Sequence, residues 1–147
     1  MSCDLILASS TASFALPEIR SGTVADAASI KLPKRIPYHV AMDLLLTGRW
    51  FDAEEAKQWG LIREICAPDA LLGKAWELAR HLASGPPLVY AAIKEVVREA
   101  EDMRFQDALN RVTKRQVASV DRLYGSEDLM EGQNAFAEKR DPVWKGR

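Results

Sequence analysis

The chain has 147 residues, 48% of them hydrophobic and 28% charged, with a formal net charge of −1. That length suits one domain or part of one, with enough apolar residues for a core and enough charge for a wetted surface. The near balance of charge argues against a nucleic-acid binder and against a basic membrane-surface protein.

Residues 3–9, Cys3-Asp4-Leu5-Ile6-Leu7-Ala8-Ser9, read as a short buried strand. A second extended piece, Ser13 to Leu16, runs into Pro17, which biases the residue before it toward extended geometry. Two strands this short make no stable sheet, so their hydrogen-bonding partners must lie elsewhere. After Gly22 the pattern turns helical. Val40, Leu44 and Leu45 sit at helical spacing between Pro37 and Gly48. Asp52 is placed to cap a short helix, with Glu55 three residues on as in a capping box, and Gly60 closes it. Leu61 to Cys66 reads as a brief strand or extended link. Pro68 can begin the next helix, whose Leu72, Ala75, Trp76, Ala79, Leu82 and Ala83 form an apolar face. Gly85-Pro86-Pro87 breaks it. One helix is expected over about 88–101, another from Phe105 through Val120 to Gly125, and a last one from the Ser126 cap to about Lys139. The change from strand to helix places a soft boundary near Arg49.

Few residues announce chemistry by pattern. The two cysteines, Cys3 and Cys66, and the two histidines, His39 and His81, lack metal-ligand spacing. A reducing compartment is the simpler reading for such cysteines. No positive segment precedes the apolar stretch Leu5–Ala8, which is short for a signal peptide, and no run approaches membrane-spanning length. A cytoplasmic protein is therefore expected. His39 and His81 are isolated on predicted helices, Glu54-Glu55 has a local use in capping, and the four tryptophans are packing anchors. Glu18 differs. It leaves an extended segment beside Phe14, Leu16 and Ile19, where a carboxyl group can act as acid or base.

The run from Cys3 to Ser9, followed by Ala12, Phe14, Pro17-Glu18-Ile19 and Gly22, resembles the enoyl-CoA hydratase/isomerase (crotonase) family. So do Leu32-Pro33-Lys34-Arg35, then Leu46-Thr47-Gly48-Arg49 with Ala53-Glu54-Glu55-Ala56 and Trp59-Gly60-Leu61. Glu131-Gly132 with Phe136-Ala137-Glu138-Lys139-Arg140 resembles the same family, and the tail Asp141-Pro142-Val143-Trp144-Lys145-Gly146-Arg147 resembles its carnitinyl-CoA dehydratase branch.

The resemblance implies an α/β fold: the C-terminal part of a crotonase-like (ClpP/crotonase) superhelix over residues 1–49, then a helical trimerisation region over residues 50–147. It implies a lyase that reversibly hydrates an enoyl-CoA thioester or dehydrates a 3-hydroxyacyl-CoA. The alternatives are an isomerase, or a non-catalytic fragment or half of a split enzyme. Glu18 falls on the family's catalytic glutamate. Asp26 stands where hydratases have glycine, within Ala25-Asp26-Ala27-Ala28-Ser29, and either faces the site or caps the following helix. Lys139 matches a lysine that reaches the CoA phosphates, often across a subunit boundary; otherwise it is a solvated helix-end lysine. The expected partners are an acyl-CoA substrate and further copies of the chain, as a homotrimer or hexamer, with no metal, no cofactor apart from the substrate's own CoA, no nucleic acid and no membrane. The family's oxyanion segment and second glutamate precede the position matched by Cys3, so the 147 residues alone are expected to be nearly inactive.

Overall fold

The computed structural model describes residues 2–147. They divide into two compact units, one ending at Leu78 and the other running from Ala79 to Arg147. Residues after Arg49 supply the partners for the first strands.

Strand β1 (Leu7–Ser9) pairs in parallel with β4 (Glu64–Cys66), and β2 (Ser13–Phe14) pairs antiparallel with β3 (Phe51–Asp52). Both strands are shorter than their apolar runs suggested, since pairing extends only as far as a partner is available. The chain past Leu16 is a single 3-10 turn, Pro17–Ser21, closed by Gly22 in the left-handed conformation. Helix α1 (Asp26–Lys31) leads through a second short turn to α2 (Tyr38–Thr47), which ends on left-handed Gly48. Helix α3 (Ala53–Gln58) follows β3 directly.

The core of this unit gathers Ala8, Leu32, Ile36, Ala41, Leu44, Phe51, Ala53, Ala56 and Ile62. Leu32 and Leu44 are fully buried, each contributing about 1.5–3 kcal/mol by removal from water. Phe51 stacks on Phe14 at 5.3 Å and meets Trp59 at 5.4 Å. The capping box anticipated at Asp52 is present: Glu55 N–H donates to Asp52 Oδ1 at 2.8 Å, and Asp52 N–H donates back to Glu55 Oε2 at 3.3 Å.

Helix α4 (Leu71–Ala83) begins after a turn rather than at Pro68 and buries none of its residues. Its apolar face is uncovered within the chain, with Leu72, Trp76 and Leu82 exposed. Helix α5 (Pro87–Ala100) opens the second unit's bundle. The long helix expected from Phe105 to Gly125 is two, α6 (Phe105–Thr113) and α7 (Ala118–Tyr124). The break at 114–117 places Arg115 in the left-handed region, its guanidinium 4.8 Å from the Tyr124 ring. Breaking there lets Val112, Val117 and Val120 all meet Ala92 and Val96 of α5, which one straight helix cannot do. Helix α8 (Glu127–Glu138) starts on Ser126, whose hydroxyl accepts from Leu129 N–H at 3.1 Å.

Replacing Asp52 by alanine removes the cap of α3. The expected loss is about 1 kcal/mol in the free energy of unfolding, read as a lower midpoint with an unchanged slope in urea titration.

Candidate active site

The antiparallel register that sets Phe14 opposite Phe51, continued by three residues, brings Pro17 opposite Gly48. The turn carrying Glu18 thus lies on the end of α2. A Cβ at Gly48 would meet Ile19 Cγ2 at 2.8 Å, Leu16 O at 3.3 Å and Pro17 Cα at 3.5 Å. Gly48 is buried and its φ is +60°, so glycine is needed here for space as well as for backbone conformation.

The neighbouring residues brace this contact. Thr47 Oγ1 donates to Asp43 O at 2.7 Å and accepts from Arg49 N–H at 3.2 Å. Arg49 Nε donates to Asp43 Oδ2 at 2.6 Å, its other arm reaches Glu55 Oε1 at 3.0 Å, and its guanidinium lies 5.6 Å from the Trp59 ring. Asp43 first, then Glu55, hold the guanidinium above its ordinary pKa. Thr47 and Arg49 of the first segment and Glu55 of the second are therefore joined with Asp43 in one bonded network around the end of α2.

The backbone of Glu18 is equally fixed. Its carbonyl accepts from Thr23 N–H at 3.1 Å, from Ser21 Oγ at 3.1 Å and from Thr23 Oγ1 at 3.2 Å. The side chain is half-buried, and Oε2 is buried with no hydrogen-bond partner. Buried polar atoms are almost always paired, so Glu18 Oε2, with no donor from the protein, is set apart from the other carboxylates named here.

The other two candidates lie apart from this turn in the chain. Asp26 is exposed at the first residue of α1, while Ala25 holds the cap position and makes no side-chain capping bond. An acidic residue there favours the helix dipole without capping the helix. Lys139 is exposed at the end of α8, in the left-handed conformation at φ 55°. His39 and His81 are both exposed. Among the described residues no group of three His, Cys, Asp or Glu side chains is arranged to hold a metal ion.

Two carboxylates, Asp128, which sequence pattern did not single out, and Glu131, quoted above only as part of the resemblance, organise the second unit. Asp128, only 3% exposed, accepts from the backbone N–H groups of Lys145 and Gly146 at 2.8 Å each. Glu131 takes a two-pronged bond from Arg140, at 2.6 and 3.0 Å, and accepts from Val143 N–H at 2.8 Å. Together they strap the C-terminal tail to α8. Trp144 is thereby seated 3.1 Å from where a Gly132 Cβ would be, forming a wall of an apolar hollow of about 370 Å³ with Leu88, Leu123, Leu129 and Phe136. Arg140, and then Val143 N–H, pull the Glu131 carboxyl from its ordinary 4.5 down to about 2. Glu131, then Glu138, push Arg140 up.

The family model for enoyl-CoA hydratase/isomerase matches residues 1–147. A carnitinyl-CoA dehydratase of Citrobacter koseri is 40% identical over 148 aligned positions, covering 100% of this chain and 57% of the relative. One from Salmonella arizonae is 41% identical, covering 99% and 56%. A probable enoyl-CoA hydratase/isomerase structure from Mycobacterium abscessus superposes with a TM-score of 0.86 at 40% identity, covering 99% of this chain and 57% of its own. An enoyl-CoA hydratase from Bacillus anthracis gives 0.88 at 31% identity, covering 99% and 55%. The chain spans a little over half the length of the relatives it matches.

A carboxylate whose pKa is depressed on folding stabilises the fold above its unfolded value and loses that contribution as pH falls through its folded value. For Glu131 that window runs from about 4.5 down to about 2. Thermal melts across it should fall less steeply in Glu131→Gln than in the parent; identical acid limbs would show that the strap carries no such linkage.

Proposed function

The chain belongs to the enoyl-CoA hydratase/isomerase family and has its crotonase α/β fold, and from that premise we propose that it supplies the C-terminal portion of an enzyme that adds water to an enoyl-CoA thioester or removes it from a 3-hydroxyacyl-CoA. The observation that carries the reading is Glu18 Oε2, buried and without a donor from the protein, on a turn whose Glu18 carbonyl accepts three hydrogen bonds. In hydration the Glu18 carboxyl gives its proton to the α carbon as water oxygen bonds to the β carbon, and the proton that this water gives up passes to the family's second glutamate, in the part that precedes the matched region. In dehydration Glu18 takes the α proton, and that second glutamate returns its proton to the β hydroxyl, which leaves as water. Either direction places enolate-like charge on the thioester oxygen, which needs N–H donors aimed at it. In this reading those donors come from the part of the family's length that precedes the matched region.

Asp26 is assigned to the acyl group and Lys139 to the CoA phosphates; both side chains are exposed and available for such contacts. The carnitinyl-CoA dehydratases that the chain is similar to support a specialised acyl group. We take the assembly to be a homotrimer or hexamer. Trp76, Ile93, Val97 and Phe105 are exposed apolar residues on the helices that would form its interfaces. CoA enters as part of the substrate, and the proposed chemistry uses no resident cofactor. A cytoplasmic location fits the free Cys3 and Cys66. No helix among the described residues is long and apolar enough to cross a membrane.

The test uses a fusion that places the preceding part of the Citrobacter koseri relative ahead of this chain, assayed for hydration of crotonyl-CoA. Turnover is expected, with kcat falling about 100–10,000-fold in Glu18→Gln. Equal rates in the two proteins overturn the assignment. The 147 residues alone should run at least about 100–1000-fold slower than the fusion, for want of oxyanion donors; a matching rate would refute that part of the reading.

A further inference from the structure

We infer that Gly48 is a positioning residue for Glu18: the bare α-carbon of Gly48 is the surface on which the Leu16–Ile19 backbone and the Ile19 side chain rest, and it thereby sets where the Glu18 carboxyl stands. The inference rests on the hydratase reading of Glu18.

Three observations carry it. The first is contact: the space of a Cβ at Gly48 is already filled by Ile19 Cγ2 at 2.8 Å, with Leu16 O at 3.3 Å and Pro17 Cα at 3.5 Å. These atoms belong to the residues on either side of Glu18, two of them to its immediate neighbours. The second is stiffness on the turn's own side. The Glu18 carbonyl holds three bonds from Ser21 and Thr23, and left-handed Gly22 closes the turn. Ile19 is β-branched and stiff about χ1, so a push at its Cγ2, together with that on Leu16 O, is passed to the backbone of the turn. The third is stiffness beneath it. Gly48 N–H donates to Leu44 O at 3.0 Å, Leu44 is fully buried, and Arg49 clamps the end of α2 to Asp43 and to Glu55 of α3. The bed does not yield, so the displaced element is the turn with its carboxylate.

Stability and positioning separate experimentally. Asparagine tolerates the left-handed conformation better than other side-chain-bearing residues, so Gly48→Asn adds the offending Cβ with little backbone strain. Leucine at position 19 lacks the Cγ2 methyl, so Ile19→Leu reopens that space. In the fusion protein, Gly48→Asn is expected to lower kcat about 100-fold, the cost of an ångström-scale misplacement, with KM little changed. Gly48→Asn/Ile19→Leu should recover most of it. In the chain itself, the Glu18 carboxyl carbon resonance, assigned by its absence in Glu18→Gln, should move in Gly48→Asn and return in the double variant. If Gly48→Asn loses its helical circular dichroism, Ile19→Ala decides: it leaves the core intact, loosens the turn on its bed and should also slow kcat, and an unchanged kcat overturns the inference. Parent-like kcat and resonance in a folded Gly48→Asn, with Glu18→Gln inactive, overturn it while leaving the hydratase reading in place. Full turnover in Glu18→Gln instead marks the failure of that reading, and the inference falls with it.

Discussion

Pairing of Ser13 and Phe14 with Asp52 and Phe51 is the constraint from which the N-terminal unit's site geometry follows. The pair is only two residues deep, yet its register determines what lies beyond it. Three residues further along each strand, Pro17 comes opposite Gly48, and a side chain at Gly48 would crowd Ile19 and Leu16. Stacking of Phe14 on Phe51, and of Phe51 against Trp59, holds the register where hydrogen bonds are few. A slip of one residue would turn Phe14 and Phe51 away from the core and separate the Glu18 turn from its support.

The network around the end of α2 shows why several separated residues act as one signature. Gly48 provides space, Thr47 ties two backbone segments, Arg49 joins two carboxylates, and Glu55 serves both Arg49 and the cap at Asp52. None of these groups is placed to meet substrate in the proposed chemistry. Their shared place is the end of α2 beneath one turn, where the partly exposed ion pairs add little stability individually and act with the hydrogen bonds as a network. The second unit uses carboxylates in a different way. Asp128 and Glu131 bind backbone N–H groups of a tail that has no secondary structure of its own, replacing the hydrogen bonds that a helix or strand would have supplied.

The local elements were largely legible. The cap at Asp52, the stop at Gly48 and the Ser126 start all depend on residues within three or four positions of one another, and all three are present. The break between α6 and α7 was not legible, because the apolar spacing through residues 105–120 is compatible with one helix. What divides it is the need for Val112, Val117 and Val120 to share a single cluster with α5. The change in composition near Arg49 was legible, but which segments beyond it pair with β1 and β2 was not.

By itself the sequence determined the family, the kinds and order of most elements, and Glu18 as the carboxylate to consider, since each of these rests on residue identity and short spacing. It also implied that the first strands need partners, without naming them. Only the tertiary structure decided that Glu18 Oε2 is buried without a partner, that Gly48 lies beneath its turn, and that Asp128 is buried by the tail. The physical reason is common to all three. Burial and contact depend on which distant segments close upon one another, and the hydrogen-bond register that brings them together is a property of the folded pair rather than of either segment alone.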